Sequence, residues 1–284
     1  MKKNIIALMF LGLSLVFFES RLFAISAPFD HSAWDNFLKQ YVNEDGEVDY
    51  AGIKKDPTLL NQYVEQVAKI SSWDFGNEWP REEKMALLIN IYNAQIVKAI
   101  VDAYPVKSIQ KIPGIWELEF FKVAGRAMSL NRLQKRDLVG AFQDEKIHTV
   151  LACGGKSCPK LRRDAFVGPK VEGQIFLAAR DFVADNERNT IDPASKKVEL
   201  SRLFKWYSQD FVLDFGQWED ESEKELRADE VPVIAFMSYY LEEGDKIRFL
   251  EEGKYKVKYK EFDWNLNEWH RPKDSTLSVS QSSN

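Results

Sequence analysis

Residues 80–105 read PREEKMALLINIYNAQIVKAIVDAYP, and this stretch decides the fold. Pro80 suits a first helical position, Glu82 and Glu83 favour the positive end of a helix dipole, and Tyr104-Pro105 stops the run. Between these signals Met85, Leu87, Leu88, Ile89, Ile91, Ile96, Val97, Ile100 and Val101 leave almost no polar face. A helix apolar nearly all round is buried on most sides. Asn90 and Asn93 stand three apart, on one face of it. A buried amide without partners costs roughly a few kcal/mol, so both must hydrogen-bond.

On the N-terminal side, Ser32 with Asp35 predicts a capped helix through Phe37, Leu38, Tyr41 and Val42, ended by Asn43-Glu-Asp-Gly46. Val48-Asp49-Tyr50 reads as a short extended piece. Pro57 opens a second amphipathic helix through Leu60, Tyr63, Val64 and Val67. On the C-terminal side, 117–123 and 127–130 predict a hairpin about Gly125-Arg126, with a helix from Ser129 or Asn131 towards Leu138. Val171 to Val183 is amphipathic, and Thr190–Asp192 with Lys197–Leu200 predicts a second hairpin. Ser201 caps a helix carrying Leu203, Phe204, Trp206 and Tyr207. Residues 221–228 are charged, Val231 to Leu241 is apolar, Lys254 to Lys260 alternates as a late strand, and the Ser-rich 271–284 reads as a disordered tail.

The chemistry gathers in His148-Thr-Val-Leu-Ala-Cys153-Gly-Gly-Lys-Ser-Cys158-Pro159, which holds both cysteines and one of three histidines. Its apolar start, 147–152, predicts a strand that delivers polar groups into a Gly-Gly turn. Three readings stand. The two cysteines form a disulfide bracketing the turn. Alternatively, Cys153 or Cys158 is a thiolate nucleophile, with His148 as general base and Lys156 as a further cation to lower its pKa. Thirdly, His148, Cys153 and Cys158 bind zinc, with His31, His270 or a carboxylate as fourth ligand. Asn90 and Asn93 either orient the imidazole and bind substrate carbonyls or tie the helix to neighbouring backbone. Trp206-Tyr207 and Trp264 read as core aromatics, and Asp210 and Asp263 as caps or turn residues. No Gly-rich phosphate loop, G-x-S-x-G or H-E-x-x-H occurs, so no cofactor is expected.

Lys2 and Lys3 before an apolar run at 5–18 predict a signal peptide over 1–24, with cleavage near Ala24 or Ala27 and a periplasmic or secreted product. Its removal takes three cations and one anion and moves the formal charge from -5 to -7. An acidic chain without a Lys/Arg run excludes the electrostatic footprint of a nucleic-acid binder, and after cleavage no membrane segment is expected. Eight Trp argue against disorder.

Several strings together resemble a bacterial and plant family, the domain of unknown function 547. They are Leu88-Ile-Asn90-Ile-Tyr92-Asn93-Ala94, His148 through Cys153-Gly-Gly-Lys-Ser-Cys158-Pro159, and Phe204-Lys-Trp206-Tyr207-Ser-Gln-Asp210-Phe211. Gly46-Glu-Val48-Asp49-Tyr50 and Phe262-Asp-Trp264-Asn-Leu266-Asn267 resemble its flanks. Leu88 stands where a Trp is usual and Phe262 where a Tyr is usual. The resemblance implies a scaffold remotely similar to papain-like peptidases and transglutaminases, which set a Cys at the start of a buried helix and a His on a following strand. Here the helix carries Asn90 and Asn93 in place of a cysteine.

The expected fold is α+β: a buried central helix on a small antiparallel sheet within 80–270, with a helical extension over 25–79. The expected activity is a thiol-dependent hydrolase or acyl transferase acting on a peptide or protein, served by His148, Cys153, Cys158, Asn90 and Asn93. The competing expectation is a non-catalytic exported binding module with its cysteines joined.

Overall fold

A computed structural model describes residues 27–216 and 225–271. The expected signal peptide, residues 221–224 and the tail from 272 lie outside the described residues.

The first helix, Ser32–Tyr41, buries Trp34, Phe37, Leu38 and Tyr41 along one stripe. Its start is held by Asp30, whose carboxylate accepts from Ser32 N at 2.9 Å, not by the expected Ser32 and Asp35 box. Asp35 instead accepts from Ala165 N at 3.0 Å and ties the helix to a distant loop. Val48 bridges Val42 and Glu268, as an extended residue should. Asp49 then caps a helix the periodicity did not reveal, Tyr50–Lys55, by accepting from Gly52 N at 2.7 Å. Thr58–Ala68 follows, then a π-helical turn at Asp74–Glu78.

The central helix runs Arg81–Ala103 with Pro80 in the capping position. Long and apolar enough to cross a membrane, it is enclosed by the chain itself. Helices 50–55, 58–68 and 171–184 and the segments 133–140 and 168–170 pack around it. The N-terminal helices share its core through Trp34, Phe37, Tyr50 and Tyr63. The expected sheet beneath the helix is reduced to a two-stranded hairpin, Phe121–Val123 with Arg126–Met128, which adds Phe121, Val123 and Met128 to that core. Ala124 and Gly125 turn it with φ of 49° and 75°, the left-handed pair that matches strand twist.

After the hairpin, Leu130–Arg132 is α-helical and Leu133–Gly140 winds as a π-helix. The second hairpin forms as expected, Thr190–Asp192 with Lys197–Leu200. The late strand, Val257–Tyr259, joins it in parallel, so this three-stranded sheet is mixed. It belongs to a second hydrophobic cluster, with helices Val231–Tyr240 and Gly244–Glu252 and the far half of Val171–Ala184. The architecture is α+β, with helices dominant.

Candidate functional site

His148 lies on a 3-10 helix, Glu145–Thr149, where the sequence predicts a strand. The cause is local. Asp144 accepts from Lys146 N at 3.0 Å and opens the turn, while Thr149 Oγ1 donates to Lys146 O at 2.7 Å. The apolar run then continues irregularly, because a side chain takes the bonds a neighbouring strand would make. Asn93 Nδ2 donates to Val150 O at 3.0 Å, and Asn93 Oδ1 accepts from Ala152 N at 2.9 Å. Asn90 does the same one turn earlier, exchanging bonds of 2.7 and 3.0 Å with Phe166 O and N. Both amides therefore tie the central helix to backbone, and neither lines the cavity beside His148.

Cys153 and Cys158 are joined in a disulfide. In this oxidised state neither sulfur is a thiolate, and neither is available to zinc with His148. Among the described residues no three His, Cys, Asp or Glu side chains form a metal-holding group. His31 bonds Tyr63 and Asn90, and His270 stands near Glu268. The bridged turn seats on the central helix at Gly154, whose φ is 78° and whose added Cβ would lie 2.5 Å from Ile100 Cδ1. Its outer edge is stitched to the C-terminal segment by Lys156 N to Asn265 O, Ser157 N to Asp263 O and Asn267 N to Gly154 O. Arg188, paired with Asp185, donates to Cys158 O and Lys156 O. Lys156 itself lines another cavity, away from His148.

The cavity that holds His148 is about 610 Å³, and Cys153 lines it as well. His148 Nε2 lies 2.8 Å from Asp210 Oδ2. A carboxylate oxygen accepts, so Nε2 is the ring nitrogen that donates to Asp210, and Nδ1 is the ring nitrogen left over. That Nδ1 is buried and has no partner. The ring stacks on Tyr207 at 4.0 Å with planes 15° apart. Tyr207 Oη accepts from Gln134 Nε2 at 3.0 Å, and burial pushes its hydroxyl pKa up, so it stays neutral. Burial raises Tyr92 further. The walls carry Trp116, Trp206 and Trp264, the last two stacked at 5.9 Å.

The sequence reading missed the partner of His148 and a buried carboxyl behind it. Asp210, 62 residues from His148, is its partner and not a cap. Glu145, three residues before His148, is a buried carboxyl whose pKa is pushed up to about 7, chiefly by burial and further by a hydrogen bond to Asp214, against Lys146. Thus 145 and 148 on one short helix face 214 and 210 on the segment 208–215.

Residues 77–183 match the family described as a protein of unknown function, DUF547. Residues 77–183 are the DUF547 segment of the chain. No curated protein and no solved structure matches it. The DUF547 segment supplies Tyr92, Gln134, His148 and Cys153 to the cavity, whereas Trp206, Tyr207, Asp210 and Trp264 come from beyond it. The site is thus assembled across the boundary of the matched segment.

Proposed function

We propose that this DUF547 protein is an exported peptide-binding protein whose aromatic cleft works with its two cysteines joined. The observation that carries the reading is the order of exposure in the histidine–aspartate pair. The His148 side chain is 4% exposed and the Asp210 side chain 37%. In a thiol or serine hydrolase the imidazole meets the substrate and the carboxylate stands behind it. Here the carboxylate is the open member, oriented by the ring and by Tyr207 beneath it. An open, oriented carboxylate is a binding group for a cationic side chain or an amide N–H.

The rest of the lining supports a peptide. Asn131 and Gln134 offer amides suited to main-chain groups, and the three tryptophans offer flat apolar faces for side chains. Export is supported by the disulfide, a bond kept in oxidising compartments, and by the Lys2-Lys3 and apolar N-terminus.

One observation favours a second reading. Cys153 lines the same cavity as His148, so reduction would place a thiol beside an imidazole and arm a thiol-dependent hydrolase or acyl transferase. A single experiment separates the two. A mixed hexapeptide pool is added to the oxidised protein, tryptophan fluorescence reports binding, and mass spectrometry reports cleavage before and after dithiothreitol. The binding reading expects a saturable fluorescence change in the oxidised protein, lost in Trp206→Ala and Asp210→Asn, without cleavage in either state. Cleavage that appears only on reduction and vanishes in Cys153→Ser would overturn it in favour of the hydrolase.

A further inference from the structure

We propose that a second cavity, separate from the peptide cleft, binds a small carboxylate with an apolar body, such as a medium-chain fatty acid. This cavity is about 270 Å³ and lies between the central helix, the hairpin at 121–128 and two π-helical segments, Asp74–Glu78 and Leu133–Gly140. Its interior is built from Phe75, Leu88, Val123, Met128 and Phe142. Such a wall takes a hydrocarbon, and the hydrophobic term rewards each buried methylene by about 0.8 kcal/mol.

The lining also holds three cations, Lys84, Arg126 and Arg132, against one anion, Asp137. Lys84 spends its ammonium on Gly76 O at 3.0 Å. The two arginines are uncommitted by hydrogen bonds among the described residues. Arg132 Nε is buried without a hydrogen-bond partner; it stands 3.7 Å from Asp137 Oδ2, which also lacks one, and Nη1 stands 3.9 Å from Glu119. The buried Nε–H lacks an acceptor within hydrogen-bond distance, and the side chain is 29% exposed, so a ligand oxygen can reach it. The planar fork of arginine matches a carboxylate. Wide helical turns of the π type recur where a helix is opened around a functional site, and here two of them border one cavity.

Calorimetry of the intact oxidised protein with octanoate, 1-octanol and octyltrimethylammonium tests this. Octanoate should bind at one site, about tenfold or more tighter than octanol, with the cation weakest. Arg126→Gln, at an exposed position, and Arg132→Gln should each weaken octanoate and leave octanol unchanged. Val123→Trp, which fills the cavity, should abolish both. Equal binding of octanoate and octanol would overturn the anion assignment, and so would full octanoate affinity in both arginine variants. Absence of binding by any of the three would overturn the site, and loss of octanoate in Trp206→Ala would move it to the aromatic cleft.

Discussion

Glu145 makes the stability of this protein fall as pH rises through the weakly acidic range. Its carboxyl is buried on the 3-10 helix that carries His148, facing Asp214 and flanked by Asp144, Lys146 and Tyr240. In the folded chain it titrates at about 7, against 4.5 when exposed. Below 4.5 both states are protonated and the contribution is complete. Between 4.5 and 7 the unfolded chain releases its proton while the folded chain keeps it, so unfolding becomes progressively easier. Above 7 the contribution is gone. At 1.36 kcal/mol per pKa unit, the span corresponds to about 3 kcal/mol. Glu145→Gln keeps the shape and the donor towards Asp214 but cannot ionise. Urea denaturation of both proteins from pH 4 to pH 9 isolates this group, since the other titrating residues are common to both. The variant should gain about 3 kcal/mol relative to wild type between pH 4 and pH 8. Asp214→Asn should shrink the effect without removing it, because burial is the larger cause. Parallel pH profiles for wild type and Glu145→Gln would refute the reasoning.

Asn93→Ala leaves Val150 O and Ala152 N unpaired in the interior, and chemical denaturation should show a loss of about 2–5 kcal/mol. The double variant Cys153→Ala/Cys158→Ala should lose only about 2 kcal/mol, the loop-closure entropy of so short a ring, and remain folded by circular dichroism. Gly154→Ala combines a positive φ with a close approach to Ile100, and its thermal midpoint should fall by an amount corresponding to about 1–2 kcal/mol or more.

The central helix was legible because its signals agree: a proline at the start, Tyr104-Pro105 at the end and apolar residues between. The hairpins were legible for the same reason, through alternation and turn residues. At 147–152 the pattern misled, since alternation reports which residues are buried and not what pairs with their backbone. Asn93 takes the place of a strand there, and an amide on a helix has no period to betray it. Tyr50–Lys55 is too short for a helical repeat to register. The π-helical winding of Leu133–Gly140 is set by packing, which the residue pattern does not encode. Asp210 was hidden by distance along the chain: nothing local distinguishes a carboxylate that reaches back to His148 from one that ends a helix.

The ends of the described chain meet far from where they are joined by covalent structure. Tyr50 Oη donates to Asn267 Oδ1 across 217 residues, and Asn267 in turn reaches Gly46 O and the turn at Gly154. Contacts of such long range form late, because the intervening loop must be closed before they return any energy. During synthesis, Trp264 and the strap that carries it emerge after the rest of the cavity lining. A chain stalled before residue 263 has its central helix and its cysteines but lacks the Trp264 wall of the cavity beside His148.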